Sequence, residues 1–144
     1  MPDLKPILLV EDNPKDVELT LAALADARVA NQIIVTRDGA EALDYLLGCG
    51  AYAGKNTTEP ALVILDLKMP KVDGMEVLKA VKDAPELARV PVVLLTGSQE
   101  ESDVLRGYDL GANSYVVKPF GTEEFLAAIR NLGVFWAILN QPPP

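Results

Sequence analysis

Histidine is missing from all 144 residues of this chain. That excludes a Ser/His/Asp triad, histidine-based general acid–base catalysis and histidine metal ligands together. Cysteine occurs once, as Cys49 in the Gly-rich stretch GCGAYAG, so no internal disulfide can form and Cys49 reads as a bystander. Positive charge is sparse and scattered. Thirteen Lys and Arg against twenty-one Asp and Glu leave a net charge of −8, with no basic stripe of the kind nucleic acid requires. Long apolar runs are missing too. The most extended, LGVFWAIL near the C-terminus, falls far short of the roughly 20 residues that span a bilayer. The start, MPDLKP, has no basic region followed by an apolar core, so it is not a secretory signal. Neither GxGxxG nor a P-loop follows the first apolar run, which removes the usual nucleotide cradles. The expectation is a cytoplasmic protein that engages neither membrane nor nucleic acid.

What is present is an ordinary globular balance, 49% apolar and 24% charged. The length suits one domain over 1–144, with a core from about 5 to 132 and a C-terminal extension and tail over about 133–144. Strand and helix signals alternate. ILLV (7–10), IIVT (33–36), ALVIL (61–65), VVLLT (92–96) and SYVV (114–117) read as strands. The third is uniformly apolar, as a parallel strand covered on both faces should be. Between them lie helix signals. Asn13 caps a helix opened by Pro14 and running to about Ala27, with Val17, Leu21 and Leu24 at helical spacing. Asp38-Gly-Ala-Glu41 is a capping-box-like start to a helix near 39–47, and 48–60 reads as a long loop. A helix follows from about Met75 to Asp83. Ser98-Gln-Glu-Glu101 opens another to about Leu110, closed by Gly111, and Thr122 caps a last one. Five strands alternating with five helices imply a doubly wound α/β fold with a parallel sheet. The usual order for such a sheet is 2-1-3-4-5.

The stretch VILDLKMPKVDG (63–74) poses the functional question, because a buried strand delivers a carboxylate, Asp66, at its tip. Ligands of open α/β sheets bind outside the carboxyl ends of the strands. Residues at those ends are Glu11 and Asp12, Asp66, Thr96 and Lys118, and the usual strand order would bring them to one crevice. Crowded carboxylates repel one another, and an all-oxygen ligand set suits a hard cation such as Mg²⁺. Lys118 adds a second positive charge and Thr96 a donor. Three negative oxygens on a phosphoryl group attached to Asp66 would match this set, one each for metal, ammonium and hydroxyl.

The segments LVEDN, LDLKMPKVDG, LLTG and YVVKPF, in this order and spacing over about residues 7–132, resemble the receiver domain of two-component response regulators. The resemblance implies the flavodoxin-like receiver fold, with Asp66 as phosphoacceptor and a sensor histidine kinase as phosphodonor. It assigns Mg²⁺ to Glu11, Asp12, Asp66 and the backbone carbonyl of Lys68. Thr96 becomes the switch hydroxyl, Lys118 the phosphoryl-contacting cation, and Tyr115 the aromatic that changes rotamer. It also implies a phosphoacceptor with slow self-catalysed phosphorylation and dephosphorylation, not an enzyme. The fourth helix is a plausible moving part, since Gly107 lies inside it and its apolar stripe (Val104, Leu105, Tyr108) is thin.

Taken singly, these residues have plainer readings: Asp12 as a helix cap, Thr96 as a β-branched strand residue, Lys118 as a surface charge, Tyr115 as core. Two whole-protein alternatives stand beside the receiver. One is a haloacid-dehalogenase-like phosphatase, which would carry a second Asp where this chain has Lys68. The other is a pseudo-receiver that acts through its surfaces without phosphate. At the C-terminus, Phe135, Trp136, Ile138 and Leu139 place apolar groups on several helix faces, which predicts a homodimer interface. The tail, the EDNPKDVELT start and the long second loop are similar to stand-alone receivers paired with bacterial phytochrome kinases. Such a receiver would act by protein contact, on a histidine phosphotransfer protein or another downstream target. A chemotaxis-type motor regulator is the competing use.

Overall fold

In the computed structural model the described residues are 5–26, 29–54, 59–66, 74–96, 111, 114–117, 123–124 and 127. The elements are β1 (Ile7–Val10), α1 (Pro14–Asp26), β2 (Ile33–Thr36), α2 (Gly39–Leu47), a 3₁₀ turn (Gly50–Tyr52), β3 (Leu62–Asp66), α3 (Gly74–Asp83), β4 (Val92–Thr96) and β5 (Ser114–Val117). The five strands form one parallel sheet in the order β2-β1-β3-β4-β5. The predicted α/β architecture and strand order are therefore the observed ones. Glu123, Glu124 and Ala127 are helical, while the helix expected over 98–110 lies outside the described residues.

Side-chain alternation along the strands sorts the core into two layers. Leu8, Val10, Val63, Leu65, Val92 and Leu94 pack with Ala42 and Tyr45 of α2 and with Val77, Leu78 and Val81 of α3. Ile7, Leu9, Leu62, Ile64, Val93 and Leu95 pack on the opposite face with Val17, Ala23 and Leu24 of α1. Both faces of β1 and β3 are thus covered, which is why neither strand has a polar residue before its tip. Fully burying one such aliphatic side chain contributes about 1.5–3 kcal/mol.

The helix ends follow their local chemistry. Asn13 Oδ1 accepts from the amides of Lys15 at 2.9 Å and Asp16 at 3.3 Å, capping α1 as expected. Asp38 caps α2 by accepting from the Glu41 amide at 2.8 Å, while Glu41 Oε1 accepts from the Arg37 amide at 2.9 Å. The reciprocal bond thus lands one residue earlier than a standard capping box would place it. Gly48 closes α2 in the left-handed region (φ 66°), its amide donating to Asp44 and Tyr45 carbonyls.

β3 starts one residue later than the 61–65 read from the sequence and also ends one residue later. β3 extends through Asp66, because the pairing with β4 continues to Asp66 opposite Leu95. The stretch 48–60 also contains the 3₁₀ turn, which carries Tyr52 back onto α2 with its ring edge-on to Tyr45 at 5.2 Å. Among the described residues, no helix is long and apolar enough to cross a membrane.

Candidate functional site

The site follows from strand parity. Along β1, Ile7 and Leu9 face the α1 layer, and the next residue of that parity is Glu11. Along β3, Leu62 and Ile64 face the same layer, and the next of that parity is Asp66. The register Ile7–Leu62 through Val10–Leu65, carried one step further, sets Glu11 beside Asp66. Both are buried, Glu11 fully and Asp66 to 6% exposure, and Asp12 joins them from the exposed side. One carboxylate oxygen from each of Glu11, Asp12 and Asp66 lies within 4.8 Å of the other two.

Glu11 and Asp12 are adjacent in sequence, and an extended strand would point them to opposite faces. β1 ends at Val10, and the chain leaves the sheet between Glu11 and the start of α1 at Pro14. Two hydrogen bonds hold this passage. The Glu11 amide donates to the Thr36 carbonyl at 3.0 Å, and the Asn13 amide donates to Glu11 Oε2 at 3.3 Å. Asn13 therefore connects the acidic group to the start of α1 through its amide, while its side chain caps the helix.

The donor set fits a hard divalent cation. Ligand oxygens on octahedral Mg²⁺, bound at about 2.0–2.1 Å, are about 3–4 Å apart. A triad within 4.8 Å needs only a small contraction to meet that spacing. Three carboxylates this close, two of them buried, also favour positive charge among them.

The remaining predicted positions divide into two groups. Thr96 ends β4 one residue beyond Leu95, the strand partner of Asp66, so the backbone brings it to the same edge of the sheet. Tyr115 lies on β5 opposite Leu94 and is 39% exposed. Lys68 and Lys118 lie outside the described residues, as do Phe135, Trp136, Ile138 and Leu139. Cys49 is exposed, its thiol donating to Asp44 Oδ1 at 3.3 Å. That bond, with burial and the Asp44 charge behind it, pushes the thiol pKa up, away from the reactive thiolate. Sequence reasoning said nothing of Thr36, a buried hydroxyl at the end of an otherwise aliphatic strand.

Residues 7–130 match the response regulator receiver domain. This chain is a response regulator receiver. Response regulator Rcp1 of Synechocystis sp. is 39% identical over 132 residues, covering 92% of this chain and 88% of the relative. The structure of the bacteriophytochrome response regulator AtBRR superposes with a TM-score of 0.87 at 56% identity, covering 97% of this receiver and all of that chain. The Mn²⁺-bound form of Rcp1 gives a TM-score of 0.78 at 37% identity over 97% of this receiver and 99% of that chain. The receiver is thus homologous to phytochrome response regulators, and the haloacid-dehalogenase reading is not favoured. Receivers are phosphoacceptors, not enzymes in the ordinary sense, and take their phosphoryl groups from sensor histidine kinases. Receivers bind Mg²⁺ or Mn²⁺ at an acidic pocket, and this receiver brings Glu11, Asp12 and Asp66 together as an acidic group.

Proposed function

We propose that Asp66 accepts a phosphoryl group from the phosphohistidine of a sensor kinase, in the light-signalling pathway of a bacteriophytochrome. The observation that carries this reading is Asp66 at the end of the central strand with Glu11 and Asp12 beside it, all within 4.8 Å. Because the chain has no histidine, the donor imidazole belongs to another molecule. A carboxylate oxygen of Asp66 attacks phosphorus. The P–N bond breaks, and its electron pair returns to the imidazole nitrogen. Mg²⁺, held by Glu11, Asp12, Asp66 and the Lys68 backbone carbonyl, would neutralise charge on the transferred group. Burial of Glu11 and Asp66 restricts water at the acceptor, and the Glu11 and Asn13 backbone bonds hold the acidic group in place before transfer. Thr96 and Lys118 supply the donor and the cation for the remaining phosphoryl oxygens.

In this reading Thr96 is drawn toward the new oxygens, and Tyr115 turns inward from its exposed position. Phosphorylation biases an existing equilibrium by the contacts it adds to one state. The receiver, a single domain over 1–144 in the cytoplasm, then acts by protein contact, on a histidine phosphotransfer protein or another downstream target. Phe135, Trp136, Ile138 and Leu139 join two copies in a homodimer. Uptake from a small phosphodonor and loss of phosphate are both slow and self-catalysed.

Intact mass after incubation with acetyl phosphate tests the chemistry. One added phosphoryl group that needs both Mg²⁺ and Asp66 is expected, with none on Asp66→Asn. A folded wild type that takes up no phosphate would leave the pseudo-receiver reading. Continuous phosphate release over many turnovers would instead restore the phosphatase. Sedimentation tests the dimer: association is expected for the wild type and loss of it for Trp136→Ala, and a monomeric wild type at high concentration would remove the interface.

A further inference from the structure

We propose that Thr36, at the end of β2, is a positioning residue that sets the divalent-cation affinity of the Glu11 and Asp12 pair through the backbone of β1. This inference rests on the proposed cation site and names a residue that does not touch the ion. Thr36 is fully buried, and it follows Ile33, Ile34 and Val35 in an otherwise aliphatic strand. A hydroxyl in such a place needs a hydrogen-bond role, because burying it unpaired is unfavourable. Its Oγ1 donates to the Leu9 carbonyl at 3.2 Å, in a wholly buried bond. Its own carbonyl accepts from the Glu11 amide at 3.0 Å. One residue of β2 therefore grips β1 on both sides of Val10, where the strand stops.

Just beyond Glu11 the chain must leave extended geometry. Only by leaving it can the consecutive side chains of Glu11 and Asp12 share one site with Asp66 instead of pointing to opposite faces. The Thr36 carbonyl alone would hold the Glu11 amide, as any residue in a parallel ladder does. The register that sets Thr36 opposite Val10 also gives the Leu9 carbonyl to the Thr36 amide, so the hydroxyl is a second donor on that carbonyl and stiffens a grip the ladder already makes. Valine would keep the shape and β-branching of threonine but set a methyl group against the Leu9 carbonyl. The ladder bonds would remain, but the Leu9 carbonyl would lose its second donor, and this end of β1, with Glu11, would be held less firmly beside Asp66. Serine would lose the methyl and keep the bond.

Full-length wild type, Thr36→Val and Thr36→Ser should be titrated with Mn²⁺, the free ion followed by electron paramagnetic resonance and each apo protein's urea midpoint measured in parallel. The expected result is Mn²⁺ binding weakened several-fold in Thr36→Val, less than the roughly 10–100-fold lost when a hydrogen bond made directly to a metal ligand is removed. Thr36→Ser should bind within about twofold of wild type, even though its lost methyl lowers the urea midpoint. Equal binding by wild type and Thr36→Val would overturn the inference while leaving the cation site intact. Loss of affinity in both variants in step with their urea midpoints would reduce Thr36 to a packing residue and overturn it as well. No Mn²⁺ binding by the wild type would overturn the cation site itself, and this inference with it. Far-ultraviolet spectra taken before titration verify that the proteins are folded, and should Thr36→Val not fold, Thr36→Ala replaces it as the variant without the hydroxyl, read by the same outcomes.

Discussion

A carboxylate beside two others carries a cost that a cation removes. Asp12 is the exposed member of the group, so its charge can be removed without unpacking the core. Asp12→Asn should therefore raise the urea midpoint of the metal-free protein while shrinking the rise that Mg²⁺ produces. In the wild type, Mg²⁺ at about a hundred times its dissociation constant should add about 2.7 kcal/mol to the unfolding free energy, and chelation should remove it. Urea titrations with Mg²⁺ and with a chelator measure both effects. A variant as responsive to Mg²⁺ as the wild type would show that Asp12 is not a ligand. The plain reading of Asp12 as a helix cap has a separate answer in the structure, since Asn13 performs that role with its side chain. Asn13→Ala should cost about 1 kcal/mol of stability by chemical denaturation, and Asn13→Ser much less.

At the scale of elements, the joints between helix and strand are set by single residues. Gly111 precedes β5 with φ at 105°, and a Cβ built there would lie 2.9 Å from Lys82 Cγ and 3.2 Å from Cδ. Lys82, near the end of α3, in turn donates from Nζ to the carbonyls of Ala88 at 3.3 Å and Val90 at 2.9 Å. Burial holds its pKa below the usual lysine value, which fits an ammonium withdrawn from water to clasp the connection into β4. Gly111→Ala should destabilise by about 1–3 kcal/mol from backbone strain alone, with the steric contact adding to it. In the double variant Lys82→Ala/Gly111→Ala the contact is relieved and the strain is not, so the two substitutions should be non-additive in a urea-denaturation cycle. Additivity would show that Lys82 and Gly111 do not meet.

The turn after α2 is a second such joint. Tyr52 donates from its hydroxyl to Glu41 Oε2 at 3.3 Å. Burial first, and the Glu41 charge after it, push the phenol pKa up. A raised folded-state pKa stabilises the protein fully below the unfolded value of about 10, and that contribution is lost as pH rises through the folded value. Tyr52→Phe should remove this component, giving a smaller fall in urea midpoint above about pH 10 than the wild type shows. An unchanged alkaline profile would mean that Tyr52 does not titrate differently in the folded and unfolded chains.

At the scale of the molecule, stability is concentrated in β3, the central strand, whose apolar side chains are fully buried on both faces. Ile64→Ala should lose about 2–5 kcal/mol and Ile64→Val about 0.5–1.5 kcal/mol, measured by urea denaturation. The site depends on the same strand. A cavity at Ile64 lies two residues before Asp66 on the same face, so a loss of cation affinity beyond that of wild type should accompany the Ala variant and not the Val variant. Sheet and site are one construction here, because the register that buries the aliphatic residues also sets Glu11 beside Asp66.

The strands and the first three helices were legible in the sequence because their signals are local. Aliphatic runs mark strands covered on both faces, and Asn13, Asp38 and Gly48 mark helix ends by bonds within a few residues. The acidic triad was legible too, since carboxylates at strand tips meet once the strand order is granted. The end of β3 was set instead by pairing, as Leu95 holds Asp66 in the ladder. The path of the loop after α2 was set by where the Tyr45 ring offered a packing surface to Tyr52. The hydroxyl of Thr36 found its partner, the Leu9 carbonyl, only when β2 came to lie beside β1, 27 residues away in the chain. The sequence by itself determined which segments could bury both faces and which charges would stand at their ends. Tertiary structure alone decided how those ends are clamped, because a hydrogen bond between distant residues depends on register, and register exists only once the sheet is assembled.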